Sequence, residues 1–176
     1  MENMSCKACG AAVDDYGRYI PQKQPDGFTA PSIATDAFVL RRMEEGYELL
    51  LIRRGCNPDQ GCLALPGGFV EYGENPESSV LRELVEETGL RGVNPRPIGV
   101  AGNPLRDPRK HVISVIYLVE VPVVNDAVAG DDAAEIVWTR IGTLPLVNDE
   151  VWAFDHGSIT HDALQHPLVI EMMNDK

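Results

Sequence analysis

Gly68 to Leu90 constrains this chain more than any other stretch, and within it the run Arg82-Glu83-Leu84-Val85-Glu86-Glu87-Thr88-Gly89 is decisive. A helix advances about 100° per residue, so side chains three and four apart share a face. The spacing puts Glu83, Glu86 and Glu87 on one side and predicts Leu81, Leu84, Val85 and Thr88 on the core-facing side. Asn75 suits an N-cap, Pro76 the first helical position and Gly89 a C-terminal glycine cap. The preceding run Leu65-Pro66-Gly67-Gly68-Phe69-Val70-Glu71 reads as strand, then turn, with glycines that allow close backbone approach.

Like charges at this spacing oppose the helix by a few tenths of a kcal/mol per exposed pair. Arg82 is expected to neutralise one of the three glutamates. A hard divalent cation relieves the rest, and an all-oxygen donor set suits Mg²⁺, with Mn²⁺ as the alternative. Three glutamates alone also describe an ordinary solvated face. A glycine-rich loop feeding their helix is what a site for a metal-bound polyanion requires.

The same residues resemble the Nudix box. Gly68, Glu74, Arg82, Glu83, Leu84, Glu86, Glu87, Gly89 and Leu90 fill each defined position of that pattern at the right spacing. The resemblance covers about residues 32 to 166 and implies an α/β fold, the Nudix-type α/β/α sandwich around a mixed β-sheet. It implies a Nudix pyrophosphohydrolase that cleaves the diphosphate of a nucleoside diphosphate joined to another group. By resemblance Glu83, Glu86 and Glu87 hold metal, with the Gly67 carbonyl as a further ligand. Arg82 orients the carboxylates through a salt bridge, Glu74 braces the loop against the helix, and Gly68 and Gly89 are structural. A carboxylate outside the box often serves as general base in the family; Glu135 is the first candidate here and Asp132 the second. Many relatives are homodimers, which is the expectation for this chain.

Three further runs are similar to the ADP-ribose branch of the family. They are Gly102 to His111, Ala129 to Glu135 and Ala153-Phe154-Asp155-His156. The first concentrates Arg106 and Arg109 in an acidic protein, and arginine binds phosphate bidentately. Arg106 and Arg109 are candidate contacts to the diphosphate or terminal ribose, and Arg53, at a strand end, a candidate phosphate contact. The implied preference is ADP-ribose, giving AMP and ribose 5-phosphate. NADH, other nucleotide sugars and nucleoside triphosphates are alternative substrates, and a non-catalytic nucleotide sensor is a more distant alternative.

A chain of 176 residues suits one domain, and its formal charge of −12 argues against a nucleic-acid partner. The longest uncharged apolar stretch, Val112 to Val119, is too short to span a membrane, and no signal peptide is visible. The expectation is a cytoplasmic protein with a small nucleotide substrate. Residues 1–31 read as an arm ahead of a domain over 32–176. The arm opens on Cys6-Lys7-Ala8-Cys9, half of a zinc ribbon. No second such pair follows, and Cys56 and Cys62 have the wrong spacing, so Zn²⁺ at Cys6 and Cys9 is not expected.

Strands are predicted over Ser32 to Arg41, Tyr47 to Arg53, Pro97 to Ala101, His111 to Val121 and Glu135 to Ile141. Met43 to Gly46 is a hairpin turn, Trp138 is a core residue, and the Val112 region is the buried central strand. A last helix is predicted over Gly157 to Gln165 with Asp155 as cap, and Asn174-Asp175-Lys176 is a polar tail. His156, His161 and His166 read as helix-face or surface residues.

Overall fold

The computed structural model describes residues 29–122, 133–147 and 149–175. Cys6, Cys9, Asp131 and Asp132 therefore lie outside the described residues. Strands run over Ser32–Phe38 (β1), Leu40–Arg42 (β2), Tyr47–Arg54 (β3), Leu63–Ala64 (β4), Gly67–Phe69 (β5), Val93–Ala101 (β6), Val112–Glu120 (β7) and Ala133–Arg140 (β8). Helices run over Pro76–Thr88 (α1), His156–Leu164 (α2) and Pro167–Asn174 (α3), with a short 3₁₀ turn at Ile141–Thr143. Among the described residues no helix is long and apolar enough to cross a membrane.

The strands form two four-stranded sheets. One is mixed, in the order β5-β1-β7-β6, with β1 and β7 parallel and both edge pairings antiparallel. The other is antiparallel: β3 pairs with β2 and β4 over different parts of its length, and with β8. The single strand expected over Ser32 to Arg41 is instead divided at Val39, and the chain passes there from the first sheet to the second. Val39 still accepts a bond from the Leu50 N–H at 3.0 Å, so the crossing leaves no orphan carbonyl.

Strand alternation explains why these segments read as near-continuous apolar runs. Ala37, Val39, Leu50, Tyr117 and Val119 pack with Val80, Leu84 and Leu90, on the α1 side. Their neighbours Phe38, Leu40, Leu49, Leu51 and Leu118 join Ile159, Ala163 and Val169, on the α2 and α3 side. Both faces of the strands are covered, as in an α/β/α sandwich, and each fully buried aliphatic side chain contributes about 1.5–3 kcal/mol.

Helix α1 forms as its caps demand. The Asn75 side chain accepts from the Glu77 N–H at 3.0 Å, Pro76 opens the helix, and Gly89 closes it at φ +70° with its N–H on the Val85 carbonyl. Val85, expected inward, is exposed, while Ser79 and Val80 are buried instead.

Between the predicted last helix and the polar tail stands a third helix that the sequence reading did not assign. The His166 side chain accepts from the Leu168 N–H, Pro167 takes the first position, and Val169 enters the core. Strand β6 starts at Val93, four residues earlier than expected, with register shifts near its prolines. Trp138 is only partly buried, and the Arg41 guanidinium lies 4.1 Å from its ring centre.

Candidate active site

Strand β5 and helix α1 bring the box together, and close backbone approach is what the two glycines permit. A Cβ on Gly67 would overlap the Thr35 carbonyl and the Asp36 backbone; one on Gly68 would overlap the Glu83 carboxylate. The Gly67 N–H donates to Glu87 Oε2 at 2.8 Å, which ties β5 to a buried glutamate of α1.

Arg82 does more than the single neutralisation expected of it. Its Nε and Nη2 donate to the two oxygens of Glu74, each at 2.9 Å. Its Nη1 donates to Glu83 at 2.7 Å and to Glu86 at 2.9 Å. Longer bonds from Nη2 reach the Phe69 carbonyl and Ser79 Oγ. Glu74 also accepts from the Glu71 N–H at 3.0 Å, so it links loop to helix.

The Arg82 bonds, then the Glu71 N–H, hold Glu74 down from 4.5 to about 2. A depressed carboxylate adds stability above its unfolded pKa and loses it as pH falls through the folded one. Wild-type Tm is therefore expected to drop between about pH 4.5 and 2 partly through Glu74. Glu74→Gln should be less stable at neutral pH yet show a flatter acid limb. Parallel Tm curves for the two proteins across that window would sink the assignment.

The three helix glutamates differ in setting. The Glu83 side chain is 14% exposed, and burial pushes its carboxyl up against the pull of Arg82. Glu87 is buried. Glu86 is 47% exposed and turned to Arg82. Among the described residues no three His, Cys, Asp or Glu groups are gathered as a ready metal cage. The donor chemistry still suits Mg²⁺, which keeps several waters and takes only one or two carboxylates. Glu83 and Glu87, beside the Gly67 and Gly68 backbone, line one cavity and could supply those.

That cavity measures about 370 Å³. Its acidic members are Asp36 from β1, Glu71 from the box loop, Glu83 and Glu87 from α1, and Asp107 from the loop before β7. Its cationic members other than Arg82 are Arg54, at the end of β3, and Arg106 and Arg109 from the loop before β7. Arg106 grips the Asp155 carboxylate through Nε and Nη2, at 2.7 Å in the shortest bond. Asp155 thus stands at the N-cap of α2 but makes no side-chain capping bond there. Arg109 grips Asp107 at 2.7 Å; although burial opposes it, that contact holds Asp107 below the usual carboxylate range. Arg54 donates from Nε to the Pro58 carbonyl and, among the described residues, pairs with no carboxylate.

Three expected residues do not line this cavity: Glu86, which is turned to Arg82, and Arg53 and Glu135. Arg53 and Glu135 are cross-strand partners on β3 and β8, joined at 3.0 Å on an exposed face. Consecutive strand residues point oppositely, so Arg54 enters the cavity where Arg53 was expected to.

The sequence reading gives no site role to Asp36, Phe154 or His156, although it singles out the run Ala153 to His156. Asp36 is buried on β1 and accepts from the Ser114 hydroxyl. An acid within an apolar strand is costly unless paired, and that signal was legible. Phe154 sits at φ +49°, a left-handed conformation unusual for an aromatic, with Arg54 and Arg109 at 5.0 and 5.4 Å from its ring centre. His156, expected on a helix face or at the surface, is buried and accepts from the Leu65 N–H through Nδ1.

Known proteins share this fold. The NUDIX domain family matches residues 31–162. An ADP-ribose pyrophosphatase of Methanocaldococcus jannaschii is 42% identical over 135 residues, covering 77% of this chain and 74% of that protein. A MutT/nudix family protein from Enterococcus faecalis superposes with a TM-score of 0.71 at 30% identity, covering 87% of this chain and 71% of its own. The NUDIX domain of Shewanella oneidensis NrtR, solved in complex with ADP ribose, superposes at 0.68 with 25% identity, covering 81% and 92%. With the family matched over most of its length and the box intact, the chain belongs to the Nudix family and is a Nudix pyrophosphohydrolase.

Proposed function

We propose that this enzyme hydrolyses ADP-ribose to AMP and ribose 5-phosphate with Mg²⁺. The observation that carries the reading is one cavity joining the box glutamates to arginines of the 102–111 loop and β3. A nucleoside diphosphate sugar presents a matching anionic centre with neutral groups on either side. The 42% identity to an ADP-ribose pyrophosphatase over most of both chains supports the choice of substrate.

Glu83 and Glu87 would hold the metal, which supplies positive charge against the phosphoryl oxygens as the anhydride breaks. Arg82 fixes the orientation of Glu83 and ties the loop through Glu74. Arg54 adds a cation to the cavity, and Arg106 and Arg109, held by Asp155 and Asp107, shape its basic side at low conformational cost.

The test is a chromatographic assay with Mg²⁺ against ADP-ribose, NADH, ADP-glucose, diadenosine polyphosphates and nucleoside triphosphates. ADP-ribose should give the highest kcat/KM, with AMP as product. Higher kcat/KM on another panel member would overturn the substrate while leaving the family chemistry in place.

A further inference from the structure

We infer that His156 binds the substrate as a hydrogen-bond donor of fixed tautomer, offering Nε2–H to a phosphoryl oxygen. The inference rests on the proposed diphosphate substrate and adds a residue to the machinery described above. His156 opens α2, is 5% exposed, and lines the cavity. Its Nδ1 accepts from the Leu65 N–H at 3.2 Å, so the proton of the neutral ring sits on Nε2. Burial holds the imidazole below its usual pKa, which keeps it in that neutral form. The Phe154 ring, 6.2 Å away and tilted by 45°, packs beside it.

Among the described residues no group accepts from Nε2. Nε2 is not among the fully buried atoms without a partner, so this donor faces the open space of the cavity, where a ligand reaches it. The charged groups that bear on the ring are Asp36, Arg106, Asp155 and Arg54. Asp155 is already engaged by Arg106, and Asp36 by the Ser114 hydroxyl. Arg54 is the remaining cation, with no carboxylate partner among the described residues. An anionic oxygen beside Arg54 and Nε2 satisfies both donors, and a phosphoryl oxygen is that group on a diphosphate. A neutral donor suits the place, because a third positive charge beside Arg54 and Arg106 would repel them.

Two substitutions separate binding from folding. In His156→Asn the amide oxygen falls near the Nδ1 position, so it retains an acceptor for Leu65 and loses the distal donor. In His156→Gln the amide nitrogen reaches toward the Nε2 position. Inorganic pyrophosphate, titrated calorimetrically in Mg²⁺ buffer, is the probe, with Tm recorded for each protein. Pyrophosphate is expected to bind the Asn variant about tenfold more weakly at near wild-type Tm. The Gln variant should recover most of the affinity, whatever its Tm. Wild-type affinity in the Asn variant, losses that track Tm in both variants, or no binding by the wild type would overturn the inference. The ADP-ribose assay run alongside keeps the two readings apart. The expected affinity pattern without ADP-ribose turnover defeats the substrate reading alone; turnover with equal affinities defeats the role of His156 alone.

Discussion

Glu83→Gln is expected to lower kcat/KM on the preferred substrate by about a thousandfold, equivalent to about 4 kcal/mol of transition-state stabilisation. The same change should leave the metal-free protein as stable as wild type, or more so. Both expectations come from one fact: the Glu83 carboxylate is half-buried in the cavity beneath Gly68. Burial raises its pKa, so at neutral pH the folded state carries a charge that the unfolded state carries more comfortably. Glutamine removes that charge yet keeps an oxygen for Arg82 Nη1, so the local geometry survives. If Glu83 holds the proposed metal, loss of its charge is felt in catalysis, where the phosphoryl charge must be balanced. Steady-state kinetics at saturating Mg²⁺ and thermal unfolding in chelator check the two halves. A rate within tenfold of wild type would remove Glu83 from the metal-binding set, and a large fall in Tm would show that its charge is structural.

The parts of the site legible in the sequence are those fixed by local geometry. Asn75, Pro76 and Gly89 mark the ends of α1 because a helix terminus has hydrogen-bond demands that few residues meet. The box spacing predicted one glutamate face, and Glu83 and Glu87 do meet Gly67 and Gly68 in the cavity. What failed was decided by contacts distant in sequence. Asp155 looked like a cap, but Arg106, 49 residues away, competes for its carboxylate with three charged bonds. Arg53 and Arg54 are alike locally; only pairing with Glu135 on β8 decides which of them leaves the cavity. Val39 continues the apolar alternation of β1, so nothing local announces that the chain changes sheets there. Helix α3 is a different failure: His166-Pro167 followed by an apolar run is a helix start available to inspection, and the sequence reading assigns no element there.

Arg82→Ala is expected to lower the Tm of the metal-free protein by roughly 6–15 °C. The guanidinium donates to Glu74, Glu83 and Glu86, to the Phe69 carbonyl and to Ser79. Removing it strands the half-buried Glu83 carboxylate and restores the repulsion between Glu83 and Glu86 that the helical spacing creates. Lysine should recover little, because a point charge on a flexible stem cannot reproduce a planar fork shared among several acceptors. Coupling gives a sharper readout than the single change. In wild type, Glu74→Gln breaks a pair and should destabilise; in the Arg82→Ala background it removes an already unpaired charge and should cost little or help. Added Mg²⁺ should raise the Tm of Arg82→Ala more than that of wild type, since a cation among the glutamates replaces part of the lost positive charge. A Tm shift under 2 °C, or equal shifts for Ala and Lys, would show that the charge cluster tolerates itself. A Mg²⁺ response no larger than that of wild type would separate Arg82 from the metal site, leaving it a purely structural brace between loop and helix.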